Sequence, residues 1–114
     1  MARLTREQVL KKHDRKTREI RVPAWDDEGE EATVIIRSLS GKDRAFFMQT
    51  AFKDGVPIPD MILPTVLWLG MEEPRFEKAD MEILMEKDGK TLDDIADEIF
   101  KLSGIDFLGN LPTP

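Results

Sequence analysis

Hydrophobic positions along this chain change period several times, and each change predicts an element. From Lys16 to Val22 they alternate, with Ile20 and Val22 on one face and Glu19 and Arg21 on the other, until Pro23 stops the run. Alternation of this kind marks a strand. Ala32 to Arg37 is rich in β-branched residues, whose stiff side chains suit a pleated surface. Between the two lies Asp26-Asp27-Glu28-Gly29-Glu30-Glu31, too charged to bury and with a glycine to turn on. The pair predicts an antiparallel hairpin with an acidic tip.

Elsewhere the period is helical. Thr5-Arg6-Glu7-Gln8 has the form of a capping box and predicts a short helix to about His13, anchored only by Val9 and Leu10. Ser40 predicts the start of a helix whose stripe is Ala45, Met48, Gln49 and Phe52, widened by Phe46 and ended by Asp54-Gly55. Asp60 is the expected cap of a third helix through Leu63, Val66, Leu67 and Gly70, with Pro64 near its first turn. After Pro74, Met81, Leu84 and Met85 predict a helix over Glu77 to Lys87. Thr91 then opens the clearest helix, with Leu92, Ile95, Ala96, Ile99, Phe100 and Leu102 inside, and Gly104-Ile105 supplies a left-handed stop. The expectation is an α+β, mainly α-helical domain over residues 1–105. An N-terminal helix and a β-hairpin precede four helices, and residues 106–114 form an extended tail.

Composition narrows the function classes. At 114 residues, with 40% hydrophobic and 35% charged residues, one modest core fits, and a domain of this size buries roughly two thirds of its unfolded surface. The absence of cysteine excludes disulfides, thiolate metal sites and cysteine nucleophiles, and makes the reducing cytosol the default. No apolar segment approaches the roughly 18 residues that cross a bilayer, and no leader-like segment follows Met1, so no membrane association is expected. The net charge of −6 is uneven: residues 1–22 hold eight Lys/Arg against three Asp/Glu, or +5, which leaves −11 on the rest. An acidic body argues against nucleic acid, while a basic arm suits an acidic protein surface or a solvated helix face.

Candidate chemistry is sparse. His13 is the lone histidine and sits beside Lys12 and Asp14, with no serine or carboxylate placed to complete a triad. Asp93, Asp94, Asp97 and Glu98 share helical spacing, but carboxylates early in a helix also stabilise its dipole, and no Asp-x-Asp-x-Asp-Gly loop is present. Ser38-Leu39-Ser40-Gly41-Lys42 lacks the remaining glycine and hydroxyl of a phosphate loop. The expectation is therefore a protein with no catalytic residue, no metal and no cofactor. Met and Phe are abundant, and adaptable apolar side chains suit a groove for apolar helices. Phe47, Trp68 and Met71 are the candidate partner-binding anchors: Phe47 lies off the Ala45–Met48–Phe52 stripe, and Trp68 and Met71 are i, i+3 beside the main run of their helix. The nearly all-apolar surroundings of Trp68 leave core residence equally open.

Taken together, the order of features resembles the tail assembly chaperones of long-tailed phages and prophages. The resemblance rests on Arg6 to Asp14 followed by Thr17 to Val22 with Pro23 and Trp25, and on Ile36 to Arg44. It continues through Val66 to Phe76 and Ile95 to Gly104, so it spans nearly all of residues 6–105 with diffuse, structural motifs. It implies a non-catalytic protein that binds the tape-measure protein in the host bacterial cytoplasm, keeps it soluble and is displaced by tail-tube polymerisation. Such a protein is absent from the mature virion. The family also implies contact with tail-tube protein through a longer frameshifted form, and this chain resembles the short form. Self-association would supply avidity along a repetitive client. Two other readings remain at this point, a stable head-tail connector component and a small acidic regulator using the basic N-terminal arm.

Overall fold

The computed structural model describes residues 1–105, and the tail expected over 106–114 lies outside the described residues. Among the described residues it is a small α+β domain of five α-helices, a three-stranded antiparallel sheet and a two-stranded hairpin.

The chain opens with α1 (Arg6–Leu10), shorter than the expected run to His13. The predicted capping box is present: Gln8 N–H donates to Thr5 Oγ1, and Thr5 N–H donates to Gln8 Oε1. No residue of α1 is buried. Strands β1 (Thr17–Arg21) and β2 (Thr33–Arg37) then form the predicted antiparallel hairpin, with Ile20 opposite Val34 and Thr17 opposite Arg37. Val34 and Ile36 point into the core, as alternation requires.

Helix α2 (Gly41–Ala51) carries the predicted Ser40 cap, completed as a capping box by Asp43. Its buried face differs from the expected one. Phe47 and Ala51 face the core, while Ala45 and Met48 are exposed. The apolar residues of this helix support either face, and the decision comes from outside it: Phe47 packs edge-on against Phe100 at 5.8 Å and Phe52 at 5.6 Å. Asp54 and Gly55, expected only to end the helix, form the tip of a hairpin between β3 (Phe52–Lys53) and β4 (Val56–Pro57). Both have positive φ, which a two-residue hairpin turn demands and an Asp-Gly pair tolerates.

Helix α3 (Pro59–Gly70) begins one residue before Asp60, so Asp60 is not its cap and Pro59 occupies the first turn instead. Pro64 consequently lies inside the helix, where it leaves the Asp60 carbonyl without its usual i+4 donor. The helix runs straight into β5 (Met71–Glu73), a third strand that the sequence pattern did not predict. It pairs with β2, Met71 opposite Ile36 and Glu73 opposite Ile35, with a bulge between them, to give the order β1-β2-β5. A cis Glu73–Pro74 peptide follows. The expected helix over Glu77 to Lys87 is only a 3₁₀ turn at Lys78–Asp80 and the short α4 (Met81–Leu84).

Helix α5 (Gly89–Leu102) is capped by Asp88, not Thr91: the Asp88 carboxylate accepts from Thr91 N–H at 3.1 Å. Its predicted stripe is buried from Leu92 to Phe100. It ends as predicted, with Gly104 at φ +74 and the Ile105 amide donating to Phe100 O. Helices α3 and α5 cross closely enough that a Cβ built on Gly70 would lie 2.5 Å from Ile99 Cγ2. One core thus gathers both sides of the sheet–helix interface: Ile36, Leu67, Met71, Leu92 and Ile99 are fully buried.

Several arginines close chain ends. Arg37 donates to Leu69 O and Arg75 to Trp68 O and Met71 O at the end of α3, while Arg44 donates to Ser103 O at the end of α5. Arg15 bonds both Ser38 O and Asp43. Cations at the last carbonyls complement the negative end of a helix dipole. These four are a minority of the chain's 17 Lys and Arg residues.

Candidate functional site

Strand β2 extends past the end of β5, because Glu73 pairs with Ile35 and nothing from β5 reaches Thr33 or Val34. The space beside that overhang is an apolar groove of about 560 Å³. Val34 and Leu84 form its buried floor, Trp25 and Phe76 its half-buried walls, and Ile83 stands 69% exposed at its rim with Asp80 and Lys87. Pro23 starts the 3₁₀ turn that presents Trp25, and Phe76 lines the groove together with Pro74 from the segment that follows β5. Position Ile83 falls outside the Met81–Leu84–Met85 stripe, so α4 buries its other side and leaves Ile83 uncovered.

The acidic tip beside Trp25 is tied down. Asp26 accepts from Arg21 at 2.6 Å and from Ala32 N–H at 2.7 Å. The Arg21 hydrogen bond, then the Ala32 amide, hold the Asp26 carboxyl down at about 2, and the same pairing raises Arg21. The remaining carboxylates of the tip stay in solvent.

The expected anchors are placed differently. Phe47 is 5% exposed and Met71 0%, so both belong to the core and neither is an exposed anchor. Phe47 turned inward because α2 buries the opposite face from the one expected. Met71 did so because α3 ends at Gly70, and the helical spacing from Trp68 does not continue into β5. Trp68 is half-buried: its ring tilts against Phe46 at 5.5 Å, with Arg75 at 5.7 Å and Lys78 at 5.5 Å over its face. These cation–π contacts leave the tryptophan partly covered by side chains of its own chain. Burial, followed by the nearby Arg75 and Arg15 charges, pulls the Arg37 guanidinium below its ordinary value.

His13 is exposed in the link after α1. On α5, Asp94 pairs with Lys90, and Glu98 with Arg18 and Lys101. Among the described residues no three His, Cys, Asp or Glu side chains gather as metal ligands, and no helix is long and apolar enough to cross a membrane.

Comparison with known protein families, curated proteins and solved structures finds no significant match.

Sequence reasoning missed Trp25, Phe76 and Ile83 as candidate site residues. A signal for the first two was present: each is an aromatic two residues after a proline in an otherwise charged segment, a position that a helical stripe does not explain.

Proposed function

We propose that this chain is a non-catalytic, helix-binding chaperone whose client is a tape-measure protein of a long-tailed phage, as its sequence resemblance implies. The observation that supports the reading is the groove of Trp25, Val34, Phe76, Ile83 and Leu84, an apolar trough open on a strongly acidic protein. Apolar helical stripes seek such surfaces, and aromatic walls offer large contact area at small entropic cost. The surrounding negative charge keeps the complex soluble. In this reading the groove needs no catalytic group, metal or cofactor, and the protein works in the host cytoplasm and leaves when tube subunits assemble.

Co-expression with the tape-measure protein from the same genome tests this. The client's soluble fraction rises with the wild-type chain and returns to its unassisted level with Ile83→Glu or Trp25→Ala, while Ile83→Glu leaves the thermal midpoint unchanged because its side chain is exposed. His13→Ala behaves as wild type. A client equally soluble alone, or held equally well by the folded Ile83→Glu protein, overturns the proposal. Raising salt separates this from the regulator reading, since screening weakens exposed ion pairs and not apolar burial.

A further inference from the structure

Strand β1 stands at an open edge of the sheet, since the order β1-β2-β5 gives it one neighbour. In an antiparallel ladder the N–H and C=O of one residue point to the same side, and that side alternates along the strand. Lys16 O accepts from Ser38 N–H and the Val22 amide donates to Ala32 O, so the even-numbered residues between them face β2. The backbone groups of Thr17, Glu19 and Arg21 consequently face outward, with no ladder partner among the described residues. Charged side chains usually guard such an edge. Here the two arginines of β1 are already neutralised within the chain, Arg18 by Glu98 at 2.8 Å and Arg21 by Asp26 at 2.6 Å.

Beside that edge, between the end of β1 and α5, lies a groove of about 610 Å³ that shares no lining residue with the Trp25–Phe76–Ile83 groove. Ile20, Val22 and Ile95 supply its apolar part. It follows α5 from Asp88 to Lys101, about 20 Å of helix, which matches roughly six residues of extended chain. Each charged residue of its lining but one is matched: Lys90 pairs with Asp94 and Lys101 with Glu98, Asp88 caps α5, and Arg21 holds Asp26. The exception is Asp97, half-buried and with no ion pair or hydrogen bond among the described residues. Arg18 lies on the same face of β1 as Ile20 and reaches Glu98, so that face is turned to α5. A strand added to β1 would therefore present alternate side chains to the Ile20–Ile95 floor and to Asp97.

We propose that the β1 edge and α5 bind an extended peptide of a partner protein by strand addition. A basic residue of the peptide meets Asp97, and an aliphatic residue two positions away packs against Ile20 and Ile95. The outward amides and carbonyls of Thr17, Glu19 and Arg21 hold any extended backbone, while the basic and aliphatic positions select the sequence. This site is separate from the helix-binding groove and does not rest on the chaperone reading.

The probe is a capped six-residue peptide that alternates threonine with isoleucine, lysine and isoleucine, titrated into the isotope-labelled full chain and followed by NMR. Binding shifts the amides of Thr17 to Val22 and Asp94 to Lys101, and it slows hydrogen exchange at Glu19 and Arg21. N-methylating the peptide at its threonines removes the donors that face β1 and abolishes binding. Asp97→Asn weakens binding by about two- to fivefold, the worth of a part-exposed ion pair, and Asp97→Lys prefers a peptide with glutamate in place of lysine. Glu19→Pro removes an outward N–H and no bond to β2, so it keeps the thermal midpoint and loses the peptide. No binding at millimolar peptide, equal binding of the N-methylated peptide, or no change of preference in Asp97→Lys overturns the proposal. Shifts at Trp25 and Phe76 in place of β1 overturn it as well. So does protection of the Glu19 amide that rises with chain concentration without peptide, which would assign the edge to a second copy.

Discussion

Asp26 joins two parts of the hairpin through one carboxylate, since Oδ1 serves both Arg21 and the Ala32 amide. Its folded value of about 2 is below the ordinary 3.8, so the group stabilises the fold above pH 3.8 and that contribution fades as pH falls toward about 2. A carboxyl-carbon NMR titration should place its midpoint near 2, and a midpoint at the ordinary value would show the pairing to be absent in solution. Gly70 acts by what it lacks. A Cβ there meets three atoms of the Ile99 side chain between 2.5 and 2.9 Å, and Ile99 is itself fully buried with nowhere to retreat. Gly70→Ala should destabilise by about 1–3 kcal/mol in chemical denaturation, the usual cost of overpacking. Adding Ile99→Val, which removes the Cδ1 contact, should recover part of that loss. At this scale the caps at Thr5 and Ser40 were legible, each through a residue three positions later, whereas Asp60 and Thr91 proved not to be caps and nothing near Gly70 in sequence names Ile99.

At the scale of elements, α5 and α2 make an instructive pair. The α5 stripe is surrounded by Asp93, Asp94, Asp97 and Lys101, so only one face can be buried, and Leu92, Ile95, Ala96, Ile99 and Phe100 are buried as the pattern requires. Phe100→Ala should cost on the order of 3–5 kcal/mol by the same denaturation measurement. Loss below about 1 kcal/mol would contradict its burial, by comparison with ordinary surface changes. For α2 the apolar residues at 45 to 48 wrap most of the way round, and periodicity supports more than one face. Aromatic partners from other elements chose Phe47. Phe47 is buried by that choice, while Met71 is buried because α3 ends at Gly70 and the helical spacing from Trp68 does not carry into β5. Strand β5 was hidden for a related reason: three residues, Met71 to Glu73, are too few to show alternation. The Asp54-Gly55 hairpin was open to recognition from its turn dipeptide alone.

For the whole molecule, order should rise from the N-terminus inward. Native-state hydrogen exchange should find the amides of α1 exchanging at once, since nothing covers them, and those of β2, α3 and α5 surviving longest. The fold class was legible in the sequence because its hairpin and last helix carry clean periods. The groove was not, because it is made where Trp25, Phe76 and Ile83 from three separated segments converge. The direct passage of α3 into β5 has one more effect. Gly70 is the last helical residue and Met71 the first in the strand, with no connecting residue to absorb a rotation. Turning α3 about its axis would drag Met71 out of register with Ile36, so helix and sheet edge share a single opening event. Amides of α3 and β5 should then exchange with one common free energy, as one cooperative block, and this protein would have no hinge at the place where its two kinds of secondary structure meet.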